Sequence, residues 1–279
     1  MKFEHTEVMN FEGAFRGMRN PKNSWNKSDS YFGFVNQEDY EDWDIAEKWA
    51  TTDRPDLAQA NLQKYNEDFE TLTNEYNDWL LANCTTKFSD QDDVREVALI
   101  GPDDMDLACR LIKGGPEHRK FLRQIFVSVD ITAPLFIWKE LDTYKVATTA
   151  NSTSTMHKLA STPITIDCFE IDDMYEPYTC SPTIDFSIED DLIPALETLR
   201  KKYVETKDKR YWKELIRWLP ESWLQTRTWT CNYETLMSIC KQRKGHKLTE
   251  WKTFIDWART LPYSSELIFA EGIDWYHNY

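Results

Sequence analysis

The spacing of apolar residues along the 279-residue chain changes several times, and each change marks an element. "DLAQANLQKYNEDFETLTNEYNDWLLANC" sets Leu57, Leu62, Tyr65, Phe69, Leu72, Tyr76 and Leu80 near the helical repeat. This predicts a long amphipathic helix within Pro55–Ala82, with its acids on a solvated face. The segment up to Ser30 predicts a short strand and then a helix over "EGAFRGMRNPKNSW" that stops near Pro21. After Pro102, "DDMDLACRLIKGG" predicts a helix with Asp103 or Asp104 as N-cap and Gly114 as its stop. "IFVSVDI" is β-branched and aromatic, which suits a strand. "APLFIWKELDTY" returns to the helical repeat, with Pro134 in the first turn.

Residues 160–186 are acidic, contain proline and show no clear period, so they predict a long loop or short strands. "SIEDDLIPALETLRKKYVE" and "KRYWKELIRWL" predict two helices, and "TRTWTC" a short strand. "NYETLMSICKQRK" predicts a helix closed by Gly245, and "LTEWKTFIDWARTL" another. With no internal repeat or low-complexity linker, the pattern reads as one α+β domain with helical additions. Within it, residues 1–100 form a helix-rich N-terminal extension and 101–279 the α+β core.

Composition narrows the partners. A net charge of -15 argues against nucleic acid or an anionic membrane surface, which such a chain repels. It leaves room for a small phosphorylated ligand in a local basic pocket. The 12 Trp, 13 Tyr and 14 Phe argue against disorder over most of the length. Trp25, Tyr31, Phe32, Phe34 and Trp43 are aromatic enough for an interaction surface, though core packing is their simpler use. The six cysteines form no CxxC pair and no metal-type spacing with histidine. They read as reduced core thiols, a disulfide between Cys168 and Cys180 being the less favoured alternative. The acidic N-terminus is unlike a signal peptide and no apolar run is long enough to span a bilayer, so the expectation is a soluble, cytoplasmic protein.

Two stretches reverse the overall charge. "CRLIKGGPEHRKFLRQ" gathers Arg110, Lys113, His118, Arg119, Lys120 and Arg123 around one acid, Glu117. "CKQRKGHK" holds Lys241, Arg243, Lys244, His246 and Lys247 with none. Arginine offers a planar fork matched to phosphate oxygens. The plainer account of the second cluster is cations complementing a helix C-terminus, at about 0.3–1 kcal/mol each. There is no phosphate-binding glycine loop, dinucleotide fingerprint, GxSxG or HExxH. One further run, "ATTANSTS", follows a core-like segment with small hydroxyl and amide residues, which present hydrogen-bonding groups to a polar ligand better than they fill a core.

"EHRKFLRQIFVSVDITAPLFIWKELDTYKVAT" followed by "NSTS" resembles the central region of the flavin-dependent thymidylate synthases. "LPESWLQTRTWTCNYETLMSICKQR" is similar to the family's second block, and "HKLTEW" to its His-Ala-Gln-x-Glu stretch. The likeness covers roughly residues 100–260. It implies that family's α+β fold, with a mixed or antiparallel sheet, long helices and here a helical N-terminal addition. It also implies a dUMP-like nucleotide ligand, FAD as cofactor, methylenetetrahydrofolate as co-substrate, and a homotetramer. By position, Asn151, Ser152 and Ser154 fall on the nucleotide loop and Arg227 near a phosphate contact. Arg243 falls on the residue that holds the uracil and favours attack on it, the candidate catalytic residue. His118, Lys145, Asn232 and His246 fall on the cofactor side.

The chain departs from the family at Thr143-Tyr144-Lys145, where the signature is Arg-His-Arg. Glu140 replaces a Gln, Arg123 an acid, and Met156 an Arg. The lost cations remove several charge-assisted contacts of about 1.5–3 kcal/mol each. Two readings therefore stand side by side: a synthase of the family's type, or a relative without catalysis that binds or sequesters a nucleotide or docks a protein partner. The divergence resembles that of phage-encoded members, for which the compartment would be the host bacterial cytoplasm.

Overall fold

Alternating apolar and polar residues form the long strands, and strand ends pass directly into helices. The computed structural model describes residues 1–36, 94–154, 158–171, 179–181 and 184–270. Its strands are β1 (Lys2–Met9), β2 (Tyr31–Asn36), β3 (Val94–Leu99), β4 (Phe126–Pro134), β5 (Thr149–Ser152), β6 (Thr179–Ser181), β7 (Ile184–Ser187) and β8 (Leu224–Asn232). Its α-helices are α1 (Phe11–Arg19), α2 (Pro102–Lys113), α3 (Leu135–Leu141), α4 (Ile193–Thr206), α5 (Lys209–Arg217), α6 (Tyr233–Arg243), α7 (Thr249–Arg259) and α8 (Ser264–Leu267). One sheet has four strands in the order β1-β4-β8-β5; β2–β3 and β6–β7 form two-stranded sheets. The pairs β2–β3, β5–β8 and β6–β7 are antiparallel, and the chain is α+β. The long helix expected within Pro55–Ala82 lies outside the described residues, as does Trp43. None of the described helices is long and apolar enough to cross a membrane.

The chain divides into two compact units, Met1–Thr6 with Val129–Thr230, and Glu7–Ser128 with Cys231–Tyr279. In the first, β4 buries Val129, Ile131 and Ala133 and turns Asp130 and Thr132 to the opposite face. Burying Val129 and Ile131 contributes about 1.5–3 kcal/mol each of transfer free energy. Pro134 ends the strand and occupies the N-cap of α3, whose Ile137, Trp138 and Leu141 are buried. The orphan N–H groups of Leu135 and Phe136 donate to the carbonyls of Trp223 and Glu221. A second cluster in this unit unites Leu159, Ile164, Phe169, Ile188, Leu196 and Leu215. Cys168 is a free thiol, so the disulfide alternative falls away.

In the second unit, Phe11 meets the rings of Tyr233 and Tyr263 edge-on, each at 5.8 Å, and Phe15 meets Phe121 in the same way. The Tyr233 hydroxyl donates to the Pro262 carbonyl at 2.7 Å. Helix α6 buries Leu236, Met237, Ile239 and Cys240, and α7 buries Trp251, Phe254 and Trp257. Gly245 takes φ +71°, the left-handed conformation that lets the chain leave α6 where the sequence predicts. Tyr263 joins a distant strand end: its hydroxyl accepts from the Ile100 N–H at 3.0 Å and donates to the Ala98 carbonyl at 2.8 Å.

The start of α2 differs from expectation. Gly101 is the N-cap and Pro102 the first helical residue, so Asp103 and Asp104 lie inside the first turn. Proline favours that position because its missing N–H is not needed there. The capping carboxylate comes from Asp29, which accepts from the N–H of Asp103 at 2.8 Å and of Asp104 at 3.0 Å. Asp104, released from capping, turns inward with no exposed surface. It accepts from Arg19 Nε at 2.5 Å, Ser28 Oγ at 2.5 Å and Ser30 Oγ at 2.6 Å.

Candidate functional site

The hydroxyl-rich run expected as a loop is in part a strand. Thr149 to Ser152 form β5 at the end of the four-stranded sheet, with every residue exposed. The register with β8 pairs Thr149 with Thr230, Ala150 with Trp229, Asn151 with Thr228, and Ser152 with Arg227. Little in "TANS" favours a strand by itself; pairing with the well-formed β8 imposes it. Thr153 extends the contact, its N–H donating to the Thr226 carbonyl at 2.9 Å. Ser154, the next candidate, is partly buried just beyond the strand.

Arg227, opposite Ser152, is held on several sides. Its guanidinium carbon stands 4.3 Å above the Trp138 ring. Its Nε donates to Gln225 Oε1 at 3.0 Å and its Nη1 to Asp142 Oδ1 at 2.9 Å. Gln225 is fixed in turn, its Nε2 donating to the Thr153 carbonyl and its own carbonyl accepting from Trp138 Nε1, both at 2.8 Å. Stacking on an indole and a hydrogen bond at Nε set the plane of the fork. The side chain of Arg227 keeps 16% exposure and that of Asp142 56%. Asp142 and Trp138 were not among the expected site residues. In "TRTWTC", Arg227, Trp229 and Cys231 share one strand face and the threonines the other.

That other face carries a second polar group. Asp130 accepts from the Thr228 hydroxyl at 2.6 Å and pairs with His5 Nδ1 at 3.0 Å. The hydroxyls of Thr132 and Thr226 meet at 2.7 Å. The Thr228 bond, followed by that of His5, holds the Asp130 carboxyl below its usual value. Lys145 is exposed in the turn after α3, where the Thr143 hydroxyl donates to the Glu140 carbonyl at 2.6 Å.

The remaining candidates lie in the second unit. Arg243 ends α6 with its guanidinium 4.5 Å above the Trp251 ring, and His246 meets the same ring edge-on at 6.1 Å. His246 Nδ1 accepts from the Leu248 N–H at 3.2 Å. Asn232 is 4% exposed and caps α6, its Oδ1 accepting from the Thr235 N–H at 2.9 Å. His118 is exposed beside Gly114, after Gly115 has taken φ +98°. Much of the first basic cluster is matched by acids. Arg110 pairs with Asp106 and Lys120 with Glu117, while Arg119 and Arg123 share Glu234.

Two of the positions that the sequence resemblance assigns to the cofactor are poorly suited to a flavin pyrophosphate. At 143–145 a single lysine stands where a pyrophosphate would need paired cations, and the Thr143 hydroxyl is spent on α3. Asn232 commits its Oδ1 to capping α6.

No family model and no curated protein matches the chain. Several solved structures are similar to it. A flavin-dependent thymidylate synthase of Helicobacter pylori, complexed with FAD and dUMP, is 18% identical, with a TM-score of 0.42 over 61% of this chain and 83% of that one. A second structure of that organism's enzyme with FAD and dUMP is 17% identical, with a TM-score of 0.44 over 63% and 85%. A UMP/dUMP methylase, PolB of Streptomyces cacaoi, bound with 5-Br dUMP, is 15% identical, with a TM-score of 0.40 over 62% and 81%.

Proposed function

We propose that this chain binds a pyrimidine deoxynucleotide of the dUMP type at the paired ends of β5 and β8. The observation that carries the reading is the register that sets Ser152 opposite Arg227 and Asn151 opposite Thr228. Residues that the sequence resemblance assigns to one nucleotide come from two separate blocks, and strand pairing makes them neighbours. In this reading the Arg227 fork takes the phosphate. The Ser152 hydroxyl, with Ser154 beyond it, takes sugar or base edges, while Asn151, opposite Thr228, lies on the other strand face.

Turnover is a separate matter, and the poor fit on the cofactor side favours binding without it. The synthase reading adds FAD and methylenetetrahydrofolate, which the sequence resemblance implies. Flavin titration of the purified protein decides between the two; nucleotide binding with no flavin uptake leaves only the binding reading. A homo-oligomer belongs to both and is measured by light scattering.

The direct test is calorimetric titration with dUMP. Arg227→Gln should weaken binding by roughly tenfold or more, the scale of one charge-assisted hydrogen bond. A wild-type protein that takes up neither dUMP nor dTMP overturns the proposal.

A further inference from the structure

We infer that Asp142 is an exchangeable carboxylate that occupies the phosphate position of Arg227 and is displaced when a phosphate group arrives. The inference rests on the nucleotide-binding reading above and specifies how that site is held when empty.

The two halves of the pair are held very differently. Arg227 is fixed from below by the Trp138 ring and from the side by Gln225, which is itself anchored to the Thr153 carbonyl. Asp142 stands on the exposed side, its carboxylate more than three times as accessible as the guanidinium it meets (56% against 16%). It is also the C-cap of α3, with its N–H donating to the Trp138 carbonyl at 2.8 Å. A helix C-terminus carries partial negative charge, so a carboxylate there is electrostatically misplaced. What holds it is the guanidinium, through a partly exposed ion pair, and such pairs are weak.

A phosphate group competes well for that position. It brings close to two negative charges and several acceptor oxygens to a fork whose orientation is already set. Its arrival would also release Asp142 into water, away from the helix end. The carboxylate therefore sets a threshold. Neutral nucleosides gain nothing from the exchange, weak monoanions gain little, and phosphorylated ligands gain most. In a chain of net charge -15, an unmasked guanidinium would also attract the protein's own acidic segments, which the local carboxylate prevents.

The test follows the arginine Nε–H resonance of Arg227 by nitrogen-15 correlation spectroscopy during titration with inorganic phosphate, dUMP and deoxyuridine. The proteins are wild type, Asp142→Asn, Asp142→Ala and, for assignment, Arg227→Gln. Melting temperatures check that each variant is folded. Both Asp142 variants should bind inorganic phosphate and dUMP roughly three- to fivefold more tightly than wild type, the scale of an exposed ion pair. Deoxyuridine affinity should not change. Unchanged phosphate affinity in both Asp142 variants, or an Arg227 signal that phosphate fails to move in them, overturns the inference. Failure of the wider reading looks different: dUMP then binds to none of the proteins, while the inorganic phosphate arm still decides the role of Asp142.

Discussion

Arg19–Asp104 and Arg227–Asp142 are the same chemical pair in opposite settings. Arg19 is 6% exposed and Asp104 fully buried, and the carboxylate also accepts from two serine hydroxyls. Removing two charges from water is costly, and it is tolerated there because both carboxylate oxygens accept hydrogen bonds, one of them from the paired guanidinium. Arg227 keeps an equally ordered cation, but its carboxylate partner faces water. Burial thus separates a pair that cannot open without damage to its unit from one that can exchange partners. The first ties the N-terminal segment around Ser28–Ser30 to α2; the second leaves a phosphate-shaped fork within reach of solvent.

Substitutions can break or sharpen this contrast. Asp104→Ala leaves the Arg19 guanidinium buried and unpaired, and should cost about 3–5 kcal/mol in urea denaturation; a loss under about 1 kcal/mol would refute the structural role. Ser30→Ala removes a donor to Asp104 and an acceptor of the Gly101 N–H. It should cost about 1–3 kcal/mol by the same measurement.

A third carboxylate, Asp130, lies between the extremes. Its folded value is depressed below its unfolded one, so its contribution is present above the unfolded value of about 3.9 and is lost as the pH falls through the folded value. Thr228→Val, which removes the main cause, should flatten the fall in stability below about pH 4, as measured by urea midpoints across a pH series. An unchanged acid limb would mean that the Thr228 bond is not maintained in solution. Smallest of all, Asp142→Asn should move stability by no more than about 0.5 kcal/mol, because an exposed pair contributes little. A thermal melt showing a loss comparable to that of Asp104→Ala would erase the contrast.

Buried cysteines offer a check on the second unit. Burial pushes the Cys231 thiol well up and the Cys240 thiol to about 12. Native protein at pH 8 should leave both unlabelled by iodoacetamide, and denatured protein should expose both, as read by peptide mass spectrometry.

What could be read in advance follows physical range. The periodicity of "IFVSVDI" and "APLFIWKEL" is local, and both became β4 and α3 near their expected places. The turn out of α6 was legible because Gly245 adopts a left-handed φ at little cost. The pairing of β2 with β3 was not, because it joins Tyr31 to Leu99 across a long separation. Nor was the strand character of Thr149–Ser152, which depends on its partner. At the site, residue types suggested a phosphate ligand and resemblance suggested which residues. Only the register placed Arg227 beside Ser152. Asp142 escaped notice because an aspartate after a helix ordinarily reads as a solvated turn residue.

The Tyr263 hydroxyl has a temporal consequence. It satisfies the Ala98 carbonyl and the Ile100 N–H, whose residues precede it by 165 and 163 positions. At ribosomal speeds that separation is roughly 10–30 s of synthesis. Throughout that interval the end of β3 waits for a partner not yet made. Maturation of this part of the molecule is thus scheduled for the last stage of translation, after the residues of the β5–β8 pair have all emerged.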